Sequence, residues 1–200
     1  MPSAFRTPIL TPCLRALARA GLRATGWKVD IVLPIAPPFV FIGAPHTSNW
    51  DFLLMVAALL DLGLDARWLG KDSLFRNPLL RGPLLWLGGI PTDRRKAGNQ
   101  VAQAAQQLRD NPELVLCVAP EGTRRKVARW RTGFWHIACA AEVPVLLAVI
   151  DAPAKRLCLL GLHQPGGDVD TEIAQIRQRY RPYPGLKPAN ASDYVPDDRV

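Results

Sequence analysis

Apolar residues in this chain gather into short continuous runs separated by turn residues. Residues 27–33, Phe39–Ala44, 66–70, Leu114–Val118, 143–150 and 156–162 are of strand length and read as buried strands. Between them, residues 49–62, 78–87, 99–109, Gly133–Ala141 and 171–180 carry helical spacing, with Val101, Ala105 and Leu108 on the inward side of the third. Alternation of the two periods predicts an α/β fold, with helices flanking a central, mostly parallel or mixed sheet. Residues 34–38 are a Pro-rich turn, and no internal repeat is visible.

The two ends read differently from the middle. No acidic residue occurs before Asp30, and Arg15, Arg19 and Arg23 recur every four positions opposite Leu10, Cys13, Leu14, Leu17, Ala20 and Gly21. Residues 1–26 are therefore expected to form a basic amphipathic helix, either covering the core or lying on an anionic membrane. Its arginines break the apolar segment too often for a secretory signal, while an Arg-rich, acid-free start also suits a transit peptide. Residues 27–181 form the expected main folded domain, and the Pro-rich, polar segment 182–200 is expected to be a mobile tail.

Composition narrows the picture. A chain of 200 residues, 48% of them hydrophobic, encloses one substantial core. Its apolar runs are far shorter than the roughly 18–20 residues that span a bilayer. The four cysteines form no C-x-x-C pair, which suits a reducing compartment without structural zinc or disulfides. A net charge of +8 predicts attraction to polyanions: anionic lipid, phosphorylated small molecules, nucleic acid or an acidic carrier protein. No recognition helix or aromatic RNA-binding strand appears, so nucleic acid is not expected as a partner.

Three segments carry candidate chemistry, each following an apolar run or a turn. His46-Thr-Ser-Asn-Trp-Asp51 stands between a strand and a helix. With His46 in the loop and Asp51 in the first helical turn, the carboxylate reaches one imidazole nitrogen and leaves the other to remove a proton from a hydroxyl. Ser48 and Asp51 also fit a capping box, a role compatible with the first. Gly88 to Lys96 is a Gly-rich turn ending in three cations, Arg94 among them, suited to a phosphate or to solvent. Ala119-Pro-Glu121-Gly122-Thr123-Arg124-Arg125-Lys126 leaves another strand: Gly122 permits close backbone approach, Arg124 offers a forked donor, and Glu121 orients an arginine or the substrate. Arg129 to Gly133 extends this basic rim, with Trp130 as an apolar platform. No G-x-S-x-G, Walker loop or metal-ligand cluster occurs, so neither a serine acyl-enzyme nor a catalytic metal is expected.

Taken in order, His46-x4-Asp51, Gly89-Ile-Pro-Thr-Asp-Arg94, Pro120-Glu121-Gly122-Thr123-Arg124 and Val143-Pro144-Val145 resemble the four blocks of the glycerolipid acyltransferase family, over about residues 39–150. The resemblance implies an α/β acyltransferase fold, His46 as base with Asp51 as its partner, and Arg94, Glu121, Gly122, Thr123 and Arg124 at the acceptor phosphate. It places Pro144 in a supporting strand. It also implies a lysophosphatidic-acid-like acceptor and an acyl thioester donor, acyl-CoA or acyl carrier protein, with no bound cofactor. Ala119 departs from the family, where an aromatic residue is common, and one amphipathic helix replaces the membrane-spanning segments of many relatives.

The expected reaction is direct transfer to the acceptor hydroxyl, without an acyl-enzyme, by a cytoplasmic enzyme resting on the inner face of the cell membrane. Backbone N–H groups near Gly122 or the turn 48–50 are candidates for the oxyanion, and Trp50, Phe52, Phe75, Leu79, Leu80, Leu84, Leu85 and Trp86 for an acyl groove. A non-catalytic anionic-lipid-binding module and a thioester or phosphate-ester hydrolase are the competing readings.

Overall fold

The computed structural model describes residues 3–92 and 97–195. Among the described residues, seven strands form one sheet in the order β1-β7-β6-β2-β5-β3-β4. In chain order they are β1 Lys28–Asp30, β2 Phe39–Ala44, β3 Asp65–Lys71, β4 Gly89–Thr92, β5 Leu114–Val118, β6 Val145–Asp151 and β7 Arg156–His163. β6 and β7 form an antiparallel pair; the other neighbours run parallel. The helices are α1 Leu10–Ala24, α2 Trp50–Leu62, α3 Pro78–Trp86, α4 Ala97–Asp110, α5 Gly133–Ala141 and α6 Val169–Tyr180.

The central strands are apolar throughout because both faces are covered. Val40 and Ile42 of β2, Leu114 and Leu116 of β5, and Val145, Leu147 and Val149 of β6 point to one face. There they pack with Leu108 of α4, Phe134 and Ile137 of α5, and Ile176 of α6. The alternate residues, Phe39, Phe41, Val115, Cys117, Leu146 and Ala148, meet Leu59 of α2 and the Trp68–Phe75 pair on the other face. This period of two within an unbroken apolar run fixes the register, since a slip of one residue exchanges the faces.

Two elements differ from the sequence reading. β1 is shorter than residues 27–33 because it pairs with β7 only over Lys28–Asp30, although Ile31, Leu33 and Ile35 still pack on the core. β4 was expected as part of a Gly-rich turn. It is an edge strand paired with Trp68–Lys71 of β3, an edge position being where a strand tolerates Pro91. The glycine just before β4 is a packing device: Gly88 has φ 82°, and a Cβ there would lie 2.3 Å from the Ala66 carbonyl oxygen.

α1 lies along α2, and Arg15 and Arg19 reach across to the C-terminal end of α2. Arg15 Nε donates to the Leu60 carbonyl in the last turn of α2 (2.9 Å), Arg19 pairs with Asp61, and Leu22 is buried with Ala58 and Leu157. A guanidinium at a helix C-terminus meets both unpaired carbonyls and the negative end of the helix dipole. Part of the apolar side of α1 is left open, with Leu10 43% and Leu17 70% exposed.

The segment expected to be a loose tail is held against the body as far as it is described. Arg177 pairs with Asp193 at 2.6 Å, Ser192 Oγ accepts from Val127 N at 3.0 Å, and Ala191 is buried. Polar side chains tie this stretch down, which composition alone does not register. On the far side, Glu172 accepts from Trp135 Nε1 (2.6 Å) and from Gly166 and Gly167 N–H, and its Oε2 lies 2.7 Å from His163 Nε2. Burial alone would raise the Glu172 carboxyl; these hydrogen bonds outweigh it and bring it down to about 2.

Candidate active site

In a parallel sheet the loops leaving the carboxyl ends of the strands surround one crevice. β2 ends at Ala44, and six residues later α2 begins. His46 sits in that loop and Asp51 in the first turn of α2. Asp51 Oδ2 lies 3.1 Å from His46 Nδ1 and accepts the backbone N–H groups of Thr47 (2.6 Å) and Ser48 (2.7 Å). Thus a single carboxylate oxygen fixes the loop and the ring together. Of the expected capping box only this half forms: Ser48 Oγ accepts from Trp50 N at 3.3 Å, and no side chain caps the helix at Asn49.

Asp51 is almost fully enclosed while the His46 side chain keeps 22% of its surface open. With Nδ1 turned to the carboxylate, Nε2 is the nitrogen available to take a proton. The Thr47 and Ser48 N–H groups are committed to Asp51, which removes Ser48 from the oxyanion candidates. Gly122 N–H donates to the Ala119 carbonyl at 3.0 Å.

The loop after β5 comes to the same place. Glu121 is buried, and its Oε1 accepts the His46 N–H at 2.9 Å, so it faces the back of the histidine loop instead of the open side. Burial pushes its carboxyl up to about 7, against the opposing pull of that N–H. Its Oε2, Tyr180 OH and Trp130 Nε1 are buried without a hydrogen-bond partner among the described residues. Trp130 is no surface platform: its ring meets Tyr180 edge-on at 5.3 Å inside the core.

Arg124 is exposed and its Nη1 donates to Asn49 Oδ1, which brings the basic segment onto the turn between His46 and Asp51. Gly122 has φ 62° and turns the chain between Glu121 and Thr123. Pro144 stands at the opposite end of the sheet, where its carbonyl accepts from Val40 N. Arg94 lies outside the described residues.

A groove of about 690 Å³ opens beside Ser48, between α1 and α2. Leu17, Leu22, Trp27, Trp50, Leu54 and Leu186 line it. Of the side chains expected to form an acyl groove, Trp50 does; Phe52, Phe75 and Leu84 pack on the core, and Leu79, Leu80 and Leu85 are exposed on α3. The acyl groove expected from the sequence leaves out α1, because Leu17 and Leu22 meet Trp50 and Leu54 only through the packing of two helices distant in sequence.

The acyltransferase family pattern matches residues 32–151, which hold β2 through β6 and the whole histidine–carboxylate arrangement. The chain belongs to the acyltransferase family. Over 127 residues it is 31% identical to the 1-acyl-sn-glycerol-3-phosphate acyltransferase of Escherichia coli (strain K12), a match covering 60% of this chain and 50% of that protein. Lysophosphatidylcholine acyltransferase 2 of Rattus norvegicus is 29% identical over 126 residues, covering 60% of this chain and 23% of that one. The chain thus spans about half the length of the bacterial relative and about a quarter of the rat one. The fold is that of the 1-acyl-sn-glycerophosphate (LPA) acyltransferase PlsC from Thermotoga maritima, at a TM-score of 0.56 and 16% identity, covering 83% of this chain and 77% of that one.

Proposed function

We propose that this acyltransferase-family chain moves a fatty acyl group from an acyl thioester, acyl-CoA or acyl carrier protein, to the free hydroxyl of a lysophosphatidic-acid-like acceptor. The observation that carries the reading is the His46–Asp51 pair, 3.1 Å apart at the carboxyl end of central strand β2. His46 Nε2 takes the hydroxyl proton as the acceptor oxygen attacks the thioester carbonyl; Asp51 holds the Nδ1–H tautomer and stabilises the imidazolium. Collapse of the tetrahedral intermediate breaks the carbon–sulfur bond, and the imidazolium returns its proton to the departing thiolate. No covalent enzyme intermediate and no cofactor enters the scheme.

Arg124 beside Asn49 supplies a guanidinium to the acceptor phosphate, with Arg94, Gly122 and Thr123 as its proposed companions. Glu121 acts behind His46, through its backbone, being buried on the side of the loop away from the opening. The groove takes an acyl chain, its volume falling within the usual range for small-molecule sites, about 300–1,000 Å³. That the relatives are named for acylating lysophospholipids supports the same substrate class.

The proposed membrane contact changes in kind from the sequence reading. Among the described residues no helix is long and apolar enough to cross a bilayer. Arg15 and Arg19 are engaged with α2, whereas Leu17 and Trp50 stand 70% and 67% exposed at the groove mouth. Contact with a lipid surface on the inner face of the cell membrane then rests on apolar side chains, with basic groups secondary. Incubation with mixed acyl thioesters and mixed lysophospholipids, read by mass spectrometry, tests the substrate class. The expected product is a lysophosphatidic acid heavier by one acyl group; free fatty acid as the sole product would replace this reading with hydrolysis.

A further inference from the structure

We infer that the C-terminal strap, residues 184–193, is a working part of the site: it positions the histidine loop through Thr47 and sets the usable acyl length through Leu186. The inference rests on the proposed acyl transfer, and the strap lies outside the family match, which ends at residue 151.

Thr47 stands between His46 and Ser48, so whatever holds it holds the base. Lys187 N donates to Thr47 Oγ1 at 3.1 Å, and Asn190 Nδ2 donates to the Thr47 carbonyl at 3.1 Å. With Thr47 N–H given to Asp51, the residue's backbone donor, carbonyl and hydroxyl are all engaged. The strap reaches this close because of Gly185. Its φ is 63°, and a Cβ there would lie 2.9 Å from both Thr47 Oγ1 and Pro45 Cγ. A 3-10 turn over Pro188–Asn190 aims the Asn190 amide, and the Arg177–Asp193 and Val127–Ser192 contacts anchor the far end.

Between Gly185 and Lys187, Leu186 lines the groove together with Leu17, Trp50 and Leu54. The same short segment therefore touches both halves of the reaction. Its polar atoms clasp the loop that carries the base, and its one large apolar side chain forms a wall of the chain-binding space. A wall residue discriminates chain length because an extra methylene that no longer fits costs about 10-fold or more.

Saturated acyl-CoAs of graded length with lysophosphatidic acid, and hydrogen exchange of the loop amides, test both halves on the full chain. Leu186→Trp is expected to raise the kcat/KM ratio of dodecanoyl-CoA to hexadecanoyl-CoA by about 10-fold or more. Asn190→Ala is expected to lower kcat about 10-fold with KM for the donor nearly unchanged and the chain-length ratio as in the wild type, and to speed exchange at Thr47 and Ser48. Leu186→Trp that scales all donors equally, or Asn190→Ala with wild-type kcat and wild-type exchange, overturns the inference. Should the wild type transfer no acyl group to any acceptor, the functional reading fails. The exchange rates in Asn190→Ala, together with binding of dodecanoyl-CoA against hexadecanoyl-CoA to Leu186→Trp and to the wild type, then decide the strap by themselves.

Discussion

Replacing Asp51 by Asn removes one charge while leaving the shape almost intact. The amide oxygen can take the place of Oδ2 and still accept from Thr47 and Ser48 N–H, and from His46 Nδ1. What disappears is the attraction between carboxylate and imidazolium once the proton has moved. At 3.1 Å, with an effective dielectric of about 20, that attraction is about 5 kcal/mol, an upper bound because the His46 ring is partly open to water. A general base contributes about 10²–10⁴-fold, or about 3–5 kcal/mol, so the two figures agree in size. Asp51→Asn should lower kcat by about 10²–10⁴-fold, leave KM for donor and acceptor within about 3-fold, and cost about 1–2 kcal/mol of stability as two charged hydrogen bonds become neutral. Steady-state thiol release and a thermal melt give all three numbers. A variant that keeps half of the wild-type kcat refutes the assignment of Asp51, whatever its stability.

Other outcomes follow from the same geometry. Glu121 carries a carboxyl raised to about 7, above its unfolded value, so the folded state binds the extra proton and loses stability as pH rises from about 4.5 to 7. Glu121→Gln should flatten that slope in denaturant melts across this window and be more stable than the wild type at pH 8; an unchanged slope refutes the burial effect. Arg124→Ala should raise KM for a phosphate-bearing acceptor about 10–100-fold, the worth of a charge-assisted hydrogen bond, with Arg124→Lys recovering part; an unchanged KM removes Arg124 from the acceptor site. Vesicle flotation should survive 1 M salt and fall sharply in Leu17→Glu and Trp50→Ala, whereas binding abolished by salt alone would return the contact to the arginines. Gly88→Ala should cost more than about 1 kcal/mol, from its positive φ and the Ala66 carbonyl, and a wild-type melt would contradict the packing role.

Much of the fold was legible because its signals are local. β2 and β5 are apolar runs of strand length enclosed on both faces, and the helices between them have a period that no strand shares. The histidine and carboxylate were readable for a similar reason: strand, loop and first helical turn are adjacent in sequence, and only one arrangement lets residues five apart meet. What sequence hid depends on distant partners. Gly89 and Pro91 read as part of a turn until β3 supplies the edge on which they form β4. Glu121, expected to face substrate, is drawn inward by a backbone N–H 75 positions away. Arg15 and Arg19 have a periodicity that suits a membrane, but the end of α2 offers them carbonyls and Asp61. The strap carries no periodicity at all, being held by amide, hydroxyl and carboxylate contacts to Thr47, Val127 and Arg177.

Free thiol counted during incubation with an acyl-CoA, before and after lysophosphatidic acid is added, bears most directly on the central claim. Direct transfer by His46 predicts almost no thiol until the acceptor arrives, then one thiol for each phosphatidic acid formed, and almost none at any time from His46→Ala. Thiol release that is equally fast without acceptor, or that persists in His46→Ala, would contradict it.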